Sequence, residues 1–267
     1  MLSFPILRSP WHGANLVGAV FLVQFGVETF MSQIETLYFN RALQVGSLEF
    51  VNIVNSGILQ ALFFAPLAVL IIGKMKKSPR HGVRLTAVSP IEWGVRFAAI
   101  TVLYPLVYFL FGYFVAWQWQ ELRLFYTGST AILPFFSHFQ GYFSADKTII
   151  LFQLMRGILW TALAVLIVQM LKGRRWEASL AVALIFTGLG ASGLIIFPNP
   201  YFPPKVVQAH FFEILSSMLL FGGIAGWVMN VSIPTRKTQE KITESMTSSG
   251  DQPANDGISQ AGNFNKS

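Results

Sequence analysis

The sequence predicts an all-α fold, a polytopic integral membrane bundle of six transmembrane helices with both termini in the cytoplasm. Three observations predict it. Of the 267 residues, 53% are hydrophobic and only 12% charged, about half the charged fraction of an ordinary soluble domain. Six apolar stretches reach the ~20 residues that a helix rising 1.5 Å per residue needs to cross hydrocarbon. The basic residues that give the net charge of +7 fall mainly in alternate short loops, the bias that marks cytoplasmic loops.

Span one covers residues 11–31 and ends at an interface near Tyr38, Phe39 and Arg41. Its apolar core exceeds that of a signal peptide and runs into Glu28 and Glu35 without a small-residue cleavage pattern, so it is expected to stay uncleaved. Gln24, Glu28, Ser32 and Glu35 follow at spacings of four, four and three. That spacing predicts one polar stripe on a helix face. Lipid does not solvate a carboxylate, so the stripe is expected to face the bundle or a wet cavity.

Span two, 50–73, opens with Asn52, Asn55, Ser56 and Gln60. A basic loop, 74–93, carries Pro79 and Pro90 as breakers, and Pro90 with Glu92 and Trp93 reads as the start of span three, 94–117. Tyr104-Pro105 near its middle predicts a kink, because proline removes a helix hydrogen bond. Residues 118–147 stay aromatic but are broken by Gly128, Pro134 and Gly141. Such a stretch between spans three and four suits an interfacial segment along the headgroups, with a re-entrant hairpin as the competing reading.

Span four, 148–171, carries Arg156 inside it. Span five, 178–197, contains Gly188, Gly190, Ser192 and Gly193, which permit close helix approach. Residues 198–204 form a stiff proline turn, and span six, 210–231, includes a Gly222-x-x-x-Gly226 pair. Residues 1–233 are thus read as the transmembrane domain. The polar stretch 234–267 is read as a disordered cytoplasmic tail, since it has too little apolar surface to fold. Near the spans, twelve basic residues fall on the side of the termini and four on the other. That asymmetry sets both termini inside, in an inner or plasma membrane.

The unusual polar residues then meet on the outward half of the bundle. Glu28 and Glu35 end span one, Asn52 and Asn55 begin span two, Gln153 and Arg156 begin span four, and His210 and Glu213 begin span six. These eight residues form a candidate polar pocket. Arg156 keeps its proton and seeks a carboxylate, with Glu28 and Glu213 as expected partners. Alternatively, its planar fork holds an anionic ligand group. Glu28 is also a candidate proton carrier, with a neutral glutamate facing Asn55 as the plainer reading.

Several functions lack the residues they need. The chain has no cysteine, which removes disulfides, thiolate metal sites and cysteine nucleophiles. It has no P-loop, no GxGxxG and no basic-aromatic nucleic-acid motif, and Ser216-Ser217 lacks the G-x-S-x-G of a serine hydrolase. His210 and Glu213 form an H-x-x-E pair that Glu28 or His138 could complete as a metal site, but the pattern is too common to specify one, and neither a metal nor a cofactor is predicted. The segment from Glu35 to Arg41 lacks the adjacent glutamates of CAAX-processing intramembrane proteases, so that family is not assigned.

Three functions remain. The first is binding or transport of a small solute or ion through the outward pocket. The second is an intramembrane enzyme using Glu28, His210 or Glu213 as acid-base groups. The third is an accessory assembly protein whose polar stripe docks a membrane partner. The expected partners are the bilayer, a small ligand and a membrane protein, but no nucleic acid.

Overall fold

A computed structural model describes residues 1–76, 89–171, 173–196 and 201–230, apart from the side chains of 41, 42 and 193–196. The predicted tail 234–267, most of the basic loop 74–93, Lys172 and residues 198–200 of the proline turn lie outside the described residues. The helices below belong to one compact unit, Met1–Val231.

All regular structure among the described residues is helical. A short α1 (Ser3–Arg8) leads to α2 (Gly13–Phe25), which passes through a π turn (Gly26–Phe30) into α3 (Met31–Tyr38). After α4 (Asn40–Leu43) come α5 (Ser47–Ile71) and α6 (Pro90–Phe114). Two short helices follow, α7 (Gln120–Thr127) and α8 (Phe135–Ala145), then α9 (Ile149–Met170), α10 (Arg175–Ile196) and α11 (Pro204–Met229).

Five stretches are long and apolar enough to cross a membrane: Gly13–Tyr38, Ser47–Ile71, Pro90–Gln118, Ile149–Met170 and Pro204–Met229. In hydrocarbon a helix is favoured because it satisfies its own backbone polar groups. The fifth span expected from the sequence falls on α10, a helix of 22 residues.

α6 starts where the sequence places it, with Pro90 at its first turn and the Ser89 hydroxyl accepting from Glu92 N at 3.1 Å. This cap satisfies one of the free N–H groups of the first turn. The helix runs on through Pro105, which is buried. At the same end of the bundle, Arg96 Nη1 donates to the Val228 carbonyl at 2.9 Å. It thereby occupies one of the unpaired carbonyls that end α11. Arg8 pairs with Glu177 at 3.3 Å, and Lys74 Nζ donates to the Ser9 carbonyl at 3.0 Å.

Small residues set how close the helices come. A Cβ on Gly226 would lie 2.6 Å from the Ala178 carbonyl oxygen, and one on Gly222 would lie 2.8 Å from Ala183 Cα. The Gly222-x-x-x-Gly226 pair therefore marks a real close crossing of α10 and α11. Ser179 Oγ tightens it by donating to the Gly223 carbonyl at 2.6 Å. Gly157 does the same for α9, whose backbone there meets the Thr101 carbonyl of α6. Tyr104, Trp160, Phe186 and Phe221 fill the centre, with Trp160 and Phe186 ring centroids 4.6 Å apart. Buried aromatic surface of this size dominates packing energetics.

The aromatic stretch after α6 is held by Arg123 rather than by apolar burial alone. Its guanidinium is buried and donates to the Trp117 carbonyl at 2.6 Å and the Thr130 carbonyl at 2.8 Å. These bonds close the chain around α7 and lead an exposed segment into α8. Phe139, Tyr142 and Phe143 of α8 then pack on Phe109 of α6 at centroid distances of 5.4, 6.2 and 5.3 Å.

Candidate functional site

The polar residues of the opposite end of the bundle form three groups. The first centres on Arg156, which α9 carries into the interior with only 4% of its surface exposed. Its Nη2 donates to Glu35 Oε2 of α3 at 2.7 Å, and its Nη1 donates to Gln153 Oε1 at 3.2 Å. The guanidinium carbon lies 5.5 Å from the Tyr104 ring centroid, 5.7 Å from Tyr108 and 5.8 Å from Phe152. Electron-rich ring faces at this range attract a cation. The charge thus sits between a carboxylate and an aromatic wall. Two buried donors here, Nε of the guanidinium itself and Gln153 Nε2, have no hydrogen-bond partner among the described residues.

The second group lies on α11 and α7. His210 Nδ1 is 3.0 Å from Glu213 Oε2, and His210 Nε2 is 3.1 Å from the Tyr126 hydroxyl. An ionised carboxylate only accepts hydrogen bonds, so Nδ1 carries the proton. A neutral ring then accepts from Tyr126 at Nε2. Burial raises the pKa of Tyr126, and Glu35 and Glu213 raise it further by their charge. Tyr142 of α8 is raised likewise, first by burial and then by the charge of Glu35.

A brace holds this end together. Tyr38, the last residue of α3, stacks on Phe152 at a centroid distance of 3.8 Å. Its hydroxyl donates to Asp146 at 2.6 Å and lies 2.7 Å from Thr148 Oγ1. The brace fixes the end of α3 against the start of α9, the two elements that bring Glu35 to Arg156.

The third group is Glu28, which accepts from Gln24 on its own helix and from Gln60 Nε2 of α5 at 3.0 Å. It reaches neither Arg156 nor Asn55. Nor does Glu213 bond to Arg156; the partner of Arg156 is Glu35. The π turn at Gly26–Phe30 supplies the reason. It adds a residue to one turn, so residues beyond it rotate relative to those before it. Glu28 turns to α5 and Glu35 to α9, and the expected single stripe divides. A Cβ on Gly26 would lie 2.8 Å from Leu163 Cδ2, the movable end of a flexible side chain.

Of the eight residues singled out in the sequence, Arg156 bonds to Glu35 and Gln153, and His210 bonds to Glu213, as two separate sets. Glu28 stands apart with Gln60, and Asn52 and Asn55 lie exposed on the outer face of α5. Sequence reasoning missed Tyr104, Tyr108 and Tyr126. The only signal for them was their type, in a chain where aromatics make up 15% of the residues. Among the described residues, no group of three His, Asp or Glu side chains has the geometry to hold a metal ion. Two surface recesses are present, one along Gln118–Arg123 and one between α6, α10 and α11 beside Phe111 and Trp227.

The chain matches no protein-family model, no curated protein and no solved structure.

Proposed function

We propose that the chain is a six-span protein of the inner or plasma membrane, with both termini cytoplasmic, that binds or transports a small solute through a polar site on its outward half. α10 is taken as the sixth span, since its residues after Glu177 are uncharged. The exposed α7–α8 segment is read as lying along the outer interface, with its aromatic side chains at headgroup depth. The bilayer and a small ligand are its expected partners.

One observation carries the reading: two buried donors have no partner among the described residues, Nε of the Arg156 guanidinium, which already has its counter-ion, and Nε2 of the adjacent Gln153. A buried donor without a partner costs about 1–3 kcal/mol. An acceptor oxygen of a ligand, on a carboxylate or a phosphate, would remove that cost and meet the arginine fork at once. The test is thermal stability of the purified protein against a panel of small carboxylates and inorganic phosphate. At least one is expected to raise Tm in the wild type and not in Arg156→Lys, because bound ligand stabilises the folded state by mass action. Flux of that compound into proteoliposomes then separates transport from binding. A panel without effect on the wild type would return Arg156 to a purely structural ion pair.

The row Glu213–His210–Tyr126 favours a second reading, an intramembrane acid-base enzyme. Carboxylate, imidazole and hydroxyl in hydrogen-bonded sequence is an arrangement that moves protons. Turnover without flux, lost in His210→Gln and Glu213→Gln, would support it over the first.

A further inference from the structure

The asparagines that the sequence places in the pocket lie elsewhere, and their position has its own logic. α5 buries Gly57, Ala61, Ala65 and Val69 against the bundle. On the opposite side run Leu48, Asn52, Asn55, Leu59 and Leu62, at successive spacings of four, three, four and three. Leu48 is 74% exposed, Leu59 55% and Leu62 53%, and both asparagines are exposed. Neither asparagine side chain has a hydrogen-bond partner among the described residues.

Alternating steps of three and four keep these residues on one seam, because they average the 3.5-residue repeat of helices that supercoil about each other. Leucine alone on such a seam would suit lipid. Asparagine does not, since an amide in hydrocarbon leaves two donors and an acceptor unsatisfied. The amide is also self-complementary, and the same residue on an identical helix supplies what it lacks. Two copies in one membrane, related by a two-fold axis along the membrane normal, bring parallel helices together. Each seam residue then faces its own counterpart.

The geometry points to a homodimer formed through α5, in which Asn52 and Asn55 of one copy hydrogen-bond to the same residues of the second between flanking leucines. The second copy is the committed occupant because the seam matches itself. This inference needs α5 to cross the membrane but does not depend on any ligand at Arg156.

The absence of cysteine makes the test specific. Full-length Asn55→Cys, oxidised in native membranes with copper phenanthroline, is expected to run as a disulfide-linked dimer of twice the monomer mass. Leu59→Cys, which keeps both asparagines, should cross-link too, and serves if Asn55→Cys fails to accumulate. Leu151→Cys, 72% exposed on α9, should stay monomeric. The double variant Asn52→Leu/Asn55→Leu should raise the dimer dissociation constant about tenfold, the effect of losing interhelical hydrogen bonds of modest strength. The proposal is overturned by monomer alone at both seam positions, by equal cross-linking through Leu151→Cys, by an adduct whose mass identifies a different protein, or by a leucine variant that dimerises as tightly as the wild type.

Discussion

A guanidinium in hydrocarbon keeps its proton and has to find compensation nearby, and Arg156 finds it in Glu35. The two sides of the pair are unequal. Arg156 has 5% of its side chain exposed and Glu35 has 33%. Removal of the arginine leaves a carboxylate that can turn toward water, whereas removal of the carboxylate charge strands a buried cation. Glu35→Gln is therefore expected to destabilise more than Arg156→Gln, by about 2–3 kcal/mol when the usual cost of a stranded buried charge is reduced for the partial exposure of Glu35. The double variant should lose less than Glu35→Gln alone. Thermal inactivation of the three purified variants checks this, and equal losses from the two single changes would contradict it. The arginine itself was legible in the sequence, because an ionisable residue inside an apolar span is conspicuous. Its partner was not, since the π turn that directs Glu35 to α9 leaves no mark beyond a glycine at position 26.

At the scale of the element, small residues carried more information than polar ones. The polar cluster at the start of α5 suggested an inward face, yet Gly57, Ala61 and Ala65 at intervals of four set the buried side. In α11 the Gly222-x-x-x-Gly226 pair carries the same kind of signal, since both positions meet backbone of α10. Gly226→Ala is expected to cost about 1–3 kcal/mol, because the added methyl meets backbone of α10 that cannot move without separating the helices. Gly223→Ala is the control: its Cβ would meet only Ser179 Oγ at 3.7 Å, an ordinary contact. Loss of stability in both variants alike would remove the close crossing as the cause.

α8 offers a different handle. The His138 ring sits 4.7 Å from the Trp117 ring centroid and 5.4 Å from that of Tyr113. Burial lowers its pKa from the usual 6.5. A histidine lowered on folding is neutral when docked and takes up a proton more readily when released. Its contribution to docking is thus present above pH 6.5 and lost as the pH falls through the lowered value. Thermal stability of the wild type should drop between pH 7 and 5 more steeply than that of His138→Phe. Identical pH profiles would show that α8 docks without help from the neutral ring.

For the whole molecule, composition and span length made the all-helical, membrane-compatible architecture legible. The expectation that distant polar residues share one end came only from counting spans. In the proposed six-span arrangement the even count returns the chain to its starting side, which would place residues near 35, 156 and 210 at one depth. The proposed orientation rests on charge: the end laced by Arg8, Lys74, Arg96 and Glu177 borders the basic loops, and the end with Glu35 and Arg156 does not. A cysteine-free chain allows each assignment to be tested by one substitution and a membrane-impermeant maleimide. Thr130→Cys, in the exposed segment between α7 and α8, and Lys205→Cys, at the start of α11, should label on intact cells. Met75→Cys and Arg174→Cys should label only after permeabilisation. The decisive pair is Arg174 and Lys205, which flank α10. Labelling of both from the same side would mean that α10 does not cross. The count would fall to five, and the termini would lie on opposite faces of the membrane.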